Sequence, residues 1–202
     1  FVTIDQEGGL VNRLKEKFGF PKTISAEKLG KINNFDTTTK YAISIAKTLK
    51  SIGVNLNFAP CVDLNTNPDN PIIGKKERSF SSDPKIVTKH AEVFLNAFKR
   101  NKIFSTLKHF PGHGSSKDDS HLGFVDVTDT WKNEELYPYA ELIKKKKCDF
   151  IMTAHIFNSN LDDKLPATLS KKILTGILRD SLKFNGVIFS DDMQMKAITD
   201  HY

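Results

Sequence analysis

The chain reads as an α/β protein on a parallel sheet, a (β/α)8 TIM-type barrel present only as a fragment with about five strands. Three observations predict this. Short apolar runs alternate with segments of helical periodicity, the pattern of right-handed β-α-β units. Each apolar run ends in polar, chemistry-bearing residues. Such groups at successive strand ends meet at one site if the sheet closes. A doubly wound sheet would spread them along an edge and would usually bring a phosphate-binding glycine turn. Gly8-Gly9 lacks the G-x-G-x-x-G spacing.

The strands are expected at Phe1 to Ile4, Val54 to Ala59, Ile103 to Leu107, Phe150 to Met152 and Val187 to Phe189. Between them, Asp36 is the expected cap of a helix through Tyr41, Ile45 and Leu49 that stops at Gly53. Asp83 caps the next, with Pro84 at its first position and Ile86, Val87, Phe94, Leu95 and Phe98 on one face. A third is expected to begin near Thr130, kinked or restarted at Pro138, and to end in the basic run Lys144 to Lys147, where cations suit the helix dipole. Ser170 caps a fourth, with Ile173, Leu174, Ile177 and Leu178 inward.

The composition is that of an ordinary soluble protein, with 39% hydrophobic and 27% charged residues in 202, and no apolar run of membrane-spanning length. The net charge of +6 is not gathered into an aromatic-interleaved patch, so it reads as solubility and not as a nucleic-acid surface. Cys61 and Cys148 are too few for a disulfide framework and read as buried thiols. Phe1 is not an initiator Met, so the true N-terminus, and any signal peptide, is expected to lie outside this sequence. The strand before Phe1 and those after the Asp191 strand are expected to be missing, which makes residues 1–202 part of a single catalytic domain.

Chemistry concentrates in Lys108-His-Phe-Pro-Gly-His-Gly-Ser-Ser-Lys-Asp-Asp-Ser-His121. Lys108 and His109 fall where a strand gives way to a loop, and Pro111, Gly112 and Gly114 break regular structure. The loop ends in Asp119-Ser120-His121, where an acid two residues from an imidazole can fix its tautomer and raise its basicity, making a proton-transfer unit. Two blander readings compete: a metal site built from His109, His113, His121 and Asp119, or a solvated loop with no role. Against the metal, His109 and His113 lie across a Pro-Gly break and not on one helix face.

In this order and spacing the motifs resemble glycoside hydrolase family 3, and within it the β-N-acetylglucosaminidases of peptidoglycan recycling. Asp5-Gln-Glu-Gly-Gly with Val11-Asn-Arg13 resembles D-Q-E-G-G-x-V-x-R. Asn57-Phe-Ala-Pro-Cys-Val-Asp63-Leu-Asn and then Arg78-Ser-Phe resemble the next pair, with Lys75-Lys76-Glu77 lengthening the turn before Arg78. Lys108-His-Phe-Pro-Gly-His-Gly followed by Asp119-Ser-His121 is the most specific element. Gly186-Val-Ile-Phe-Ser-Asp191-Asp-Met-Gln-Met resembles the nucleophile strand.

The resemblance implies that Asp191 is the nucleophile and that His121, oriented by Asp119, is the general acid and base. Asp5, Arg13, Arg78, Lys108 and His109 would hold the N-acetylglucosamine. It further implies a retaining β-N-acetylhexosaminidase without metal or organic cofactor, acting in the cytoplasm on muropeptide or disaccharide substrates, with neither nucleic acid nor membrane as partner. The chemistry is coherent with these residues. Glycoside hydrolysis needs charge stabilisation at the anomeric carbon and a proton for the leaving oxygen, and an imidazole can both give and take that proton. Most such enzymes use two carboxylates, so a His-Asp pair is the departure. The rivals are a substrate-assisted hexosaminidase, in which the acetamide attacks, and a carbohydrate-binding fragment without turnover. Several residues have structural readings: Asp5 with Arg13 as an ion pair, Asp191 or Asp192 as a helix cap, His90, His155 and His201 as satisfied or solvated imidazoles, Met193 and Met195 as core.

Overall fold

The computed structural model describes residues 1–202. Five parallel strands form its sheet: β1 (Thr3–Ile4), β2 (Leu56–Asn57), β3 (Phe104–Phe110), β4 (Phe150–Thr153) and β5 (Val187–Ser190). Their spatial order is their sequence order, so each strand pairs with the next and no switch point exists. That continuous progression builds a half-barrel of the TIM type and excludes a doubly wound sheet, in which the order reverses. An aromatic file crosses the strands, with Phe104 against Phe150 at 5.3 Å, Phe150 stacked on Phe189 at 5.6 Å and Phe58 against Phe189 at 5.7 Å.

The intervening chain forms helices α1 (Ala26–Ile32), α2 (Phe35–Ser51), α3 (Pro84–Arg100) and α4 (Tyr137–Lys144), a π-helical segment Lys172–Ser181, and the short α5 (Lys196–Thr199). In α3 the expected start is observed: the Asp83 carboxylate accepts the Lys85 N–H at 2.8 Å, and Pro84 occupies the first turn, where a missing N–H costs no bond. Its Val87, Ala91, Phe94, Leu95 and Phe98 are buried in the main core with Ala42, Ile45, Ala46 and Leu49 of α2. At full burial each of the Val, Ile, Leu and Phe side chains among these contributes roughly 1.5–3 kcal/mol.

Several expectations are corrected. The cap of α2 is Asn34, whose Oδ1 accepts the Thr37 N–H at 2.8 Å, and Asp36 lies inside the first turn. Helix α1, capped by Ser25, has no counterpart in the sequence reading; it shows one buried apolar residue, Leu29, too little to give a periodic signal. No helix begins at Thr130. A 3-10 turn at Asn133–Leu136 leads into α4, which places Pro138 at a helix start. Ser170 does cap the next element, accepting the Ile173 N–H at 3.0 Å. That element is π-helical, so Ile173 and Leu178, five residues apart, share the buried face while Leu174 and Ile177 are half-buried. Cys148 is half-buried and Cys61 buried, both unpaired. Met195 is buried, but Met193 is 41% exposed and packs in no core.

Candidate active site

The C-terminal ends of all five strands open into one cavity of about 820 Å³. Asp5, Arg13, Arg78, Lys108, His109, Asp119, His121 and Asp191, the eight residues singled out in the sequence, all line it, joined by Lys76, His113 and Asp192. They come from segments 186 residues apart, from Asp5 to Asp191, brought together by strand ends that fan toward a common mouth.

The floor is a buried ionic network anchored by a residue to which the sequence reading gave no role. Glu7 takes Arg78 in a two-point contact, Nε to Oε2 at 2.9 Å and Nη2 to Oε1 at 2.7 Å, and takes Lys108 Nζ at 2.7 Å. Lys108 Nζ also meets Asp5 Oδ1 at 2.7 Å, so Asp5 pairs with Lys108 and not with Arg13. Burial pushes the Glu7 carboxyl up, but the charges of Arg78 and Lys108 reverse this and hold it at about 2. For Lys108, burial lowers the pKa, yet Glu7 leads the contacts that raise it above the ordinary value. The ammonium is thus fixed as a hydrogen-bond donor at the cavity wall.

Local sequence sets this geometry. Gln6 Oε1 accepts the backbone N–H groups of Arg13 and Leu14, at 2.9 and 3.1 Å, folding the segment after β1 back on itself. Asn57 at the end of β2 exchanges two hydrogen bonds with the Gln6 backbone, at 3.0 and 2.9 Å. Gly8 turns at φ +100°, and a Cβ there would lie 2.6 Å from the Ile24 carbonyl oxygen. The turn lengthened by Lys75-Lys76-Glu77 closes on itself, with the Arg78 N–H donating to Ile73 O at 3.1 Å and Glu77 at φ 53°. Arg78 therefore still reaches Glu7.

Asp63, also unassigned from sequence, organises the second half of the floor. Its carboxylate accepts His109 Nδ1–H at 2.6 Å, the His109 and His113 backbone N–H groups at 3.2 and 2.8 Å, and Cys61 Sγ–H at 3.1 Å. Burial raises the Asp63 carboxyl, and His109 and His113 more than reverse it, leaving it well below the carboxylate range. With Nδ1–H committed to Asp63, His109 Nε2 accepts from Arg78 Nη2 at 3.0 Å. The residues of the competing metal reading, His109, His113, His121 and Asp119, do not converge. Cys61, Asp63 and His109 bring ligand atoms within 4.8 Å of one another, but Asp63 there is saturated by the hydrogen bonds just given.

Above this floor the loop after β3 carries Asp119 and His121. Asp119 Oδ1 accepts both the His121 backbone N–H at 2.9 Å and Nδ1–H at 2.8 Å. A carboxylate can only accept, so Nδ1 bears the proton and Nε2 is free to act in the cavity. The His121 side chain is 61% exposed. His113 is buried beneath the loop, its Nδ1 2.7 Å from Ser116 Oγ and its Nε2 3.3 Å from Ser120 Oγ, and burial holds its pKa down at about 4.

Asp191 follows β5 directly. Burial would raise its carboxyl, but His109, the Asp192 N–H at 2.9 Å and Lys108 more than compensate, so it lies below the ordinary value and is ionised at neutral pH. Neither aspartate caps α5; Asp192 Oδ1 accepts the Gln194 N–H at 2.9 Å in a local turn, and Met195 precedes the helix. His155 is buried, bonded to Thr168 Oγ1 at 2.8 Å and to the Asp192 carbonyl at 2.9 Å, so it braces the β5 turn. His90 is likewise buried, against Thr38 at 2.9 Å, and His201 is exposed.

Fold and site together define a (β/α)-barrel chain with a polar cleft of carboxylates, imidazoles and fixed cations at its strand ends. The chain belongs to glycosyl hydrolase family 3: the profile described as "Glycosyl hydrolase family 3 N terminal domain" matches residues 1–202. It is 39% identical over its whole length to beta-hexosaminidase A of Pseudoalteromonas piscicida, and 38% identical over 97% of its length to the beta-hexosaminidase of Tolumonas auensis. It spans 36% and 58% of those relatives. The structure of a glycoside hydrolase family 3 beta-N-acetylglucosaminidase from a Paenibacillus species superposes with a TM-score of 0.93 at 35% identity, covering 100% of this chain and 38% of that one.

Proposed function

We propose that the protein carrying this chain is a retaining β-N-acetylhexosaminidase that releases terminal β-linked N-acetylglucosamine. The observation that carries this reading is that an ionised carboxylate, Asp191, and a carboxylate-oriented imidazole, His121, line the same cavity. The names of its relatives support the same class.

In this mechanism Asp191 attacks the anomeric carbon and forms a glycosyl-aspartate, while Nε2–H of His121 protonates the departing oxygen. In the second step Nε2 removes a proton from water, which attacks the same carbon and frees Asp191. Asp119 stabilises the imidazolium and holds the tautomer throughout. Asp5, Arg13, Arg78, Lys108 and His109 present hydrogen-bonding groups to hydroxyls and to the acetamide carbonyl. Lys108 and Arg78 donate from positions that Glu7 has already fixed, so little side-chain freedom is lost on binding.

The peptidoglycan-recycling resemblance extends the proposal to N-acetylglucosamine-containing muropeptides or disaccharides and to a cytoplasmic site of action, each open to direct assay in the source cell. The enzymatic test uses the full-length protein. Asp191→Ala is expected to abolish turnover, and a fluorinated slow substrate to leave a sugar adduct on Asp191. His121→Ala is expected to slow disaccharides far more than aryl glycosides with acidic leaving groups, which need no proton donor. Equal losses on both substrates would remove His121 from that role. A steep loss of rate on fluorinating the N-acyl group, without an adduct, would transfer the nucleophile to the substrate.

A further inference from the structure

We propose that Glu135 is a positioning residue for the acid/base loop, clamping the loop root at Gly112 to Ser115 so that Asp119 and His121 are presented to the cavity. The inference rests on the functional reading above. Glu135 belongs to the 3-10 turn before α4, is 2% exposed, and touches neither the sugar cavity nor any cation. Its Oε2 accepts the Gly114 N–H at 3.0 Å. Gly112, at φ +126°, lies so close that a Cβ on it would stand 2.5 Å from Glu135 Cβ and 2.6 Å from Oε2. On the other side of the loop, a Cβ on Gly114 would fall 1.8 Å from the Leu64 carbonyl oxygen. The root is therefore gripped between the Leu64 backbone and the Glu135 carboxyl.

Two buried polar atoms here lack partners, Glu135 Oε1 and Ser115 Oγ, and both residues border a second cavity of about 680 Å³ with no apolar lining. An unpaired buried oxygen costs free energy that an apolar side chain at the same place would avoid. Burial also pushes the Glu135 carboxyl up to about 7, more than the N–H groups of Gly114 and Ser115 pull it down. An unfavourable carboxyl retained directly behind a catalytic loop fits a site kept for positioning.

Beyond Ser116 the loop has few further ties, chiefly Ser120 to His113 and the Ser120 carbonyl to the Ala197 N–H at 3.2 Å. The direction in which Asp119 and His121 leave is thus set at the root, where Glu135 holds the Gly114 N–H while Asn70 Nδ2 donates to the His113 and Gly114 carbonyls and to Ser116 Oγ, and Asn67 Nδ2 donates to the Ser116 carbonyl.

The experiment compares Glu135→Ala, Glu135→Asp and Glu135→Gln in the full-length protein on an aryl N-acetylglucosaminide with an acidic phenol and on a GlcNAc-terminated disaccharide. Removing the clamp is expected to lower kcat on the disaccharide at least about tenfold, while the aryl glycoside, needing no acid, loses no more than about twofold at unchanged KM. Gln keeps an oxygen for the Gly114 N–H and is expected to restore the disaccharide rate. Aryl turnover doubles as the check that each variant is folded, and Asp, which draws the carboxylate back by one methylene, serves where Ala is not recovered folded. Equal losses on both substrates, no loss on the disaccharide, or Gln behaving as Ala would each overturn the inference alone. A wild-type protein inert on both substrates overturns the functional reading and this inference with it.

Discussion

Glu7 and Arg78 meet as a two-point ion pair at 2.9 and 2.7 Å, and the same carboxylate holds Lys108 at 2.7 Å. One buried acid thereby orients two cations that face the proposed sugar site: Arg78 depends on it for its ion pair, and Lys108 shares itself between it and Asp5.

Glu7→Ala is accordingly expected to cost about 3–5 kcal/mol of stability, because it leaves the buried Arg78 without a counter-charge and Lys108 with Asp5 alone. The folded-state carboxyl is depressed to about 2 from 4.5, so its contribution is present above pH 4.5 and lost as pH falls through 2. Denaturant unfolding at pH 7 measures it; a loss under 1 kcal/mol would show that Arg78 and Lys108 find other partners.

Asp63→Asn exchanges an acceptor of four contacts for a group that must also donate. His109 loses its fixed orientation, and kcat/KM is expected to fall on the order of a hundredfold for aryl and disaccharide substrates alike. This differs from the leaving-group dependence expected at His121. Wild-type kinetics in the variant would reduce Asp63 to a passive core residue.

Gly114→Ala forces a methyl into the Leu64 carbonyl, which lies 1.8 Å from the ideal Cβ position. A loss of about 1–3 kcal/mol is expected, together with slower disaccharide hydrolysis. Gly123→Ala on the same loop meets nothing within 4 Å and is expected to stay within about 0.5 kcal/mol of wild type. Melting curves of the pair decide the point.

Stability should fall as pH drops from 6.5 toward 4. His90 and His113 are both buried with folded-state pKa values held down at about 4 by burial, so the unfolded chain binds more protons in that window. Each adds a slope of up to about 1.4 kcal/mol per pH unit, and His90→Gln removes one of them. Glu135 works the other way: raised from 4.5 to about 7, it stabilises most below 4.5 and loses that contribution as pH rises through 7. Glu135→Gln should therefore gain on the wild type between pH 4.5 and 7. A pH-independent difference would mean that Glu135 titrates normally.

Much of this was legible in the chain. The five strand positions, the Asp83-Pro84 helix start and the stop at Gly53 follow from period and punctuation, and the eight cavity residues from the resemblance to glycoside hydrolase family 3. Misses occurred where a signal was local and ambiguous. Asn34 and Asp36 are both good caps, and only the hydrogen bond to Thr37 decides between them. Lys172–Ser181 carries an ordinary helical pattern; Ile173 and Leu178 share the buried face only because the segment is wound wider.

Sequence by itself determined which side chains stand at strand ends, because strand and helix periods are short-range properties of neighbouring residues. Tertiary structure alone decided what those side chains do to one another. Glu7 and Asp63 sit inside motifs like their neighbours, yet they bind Arg78 and Lys108, or His109 and His113, across 71 and 101 residues, or 46 and 50. Charge compensation depends on distance and burial in space, and no linear spacing along the chain encodes either.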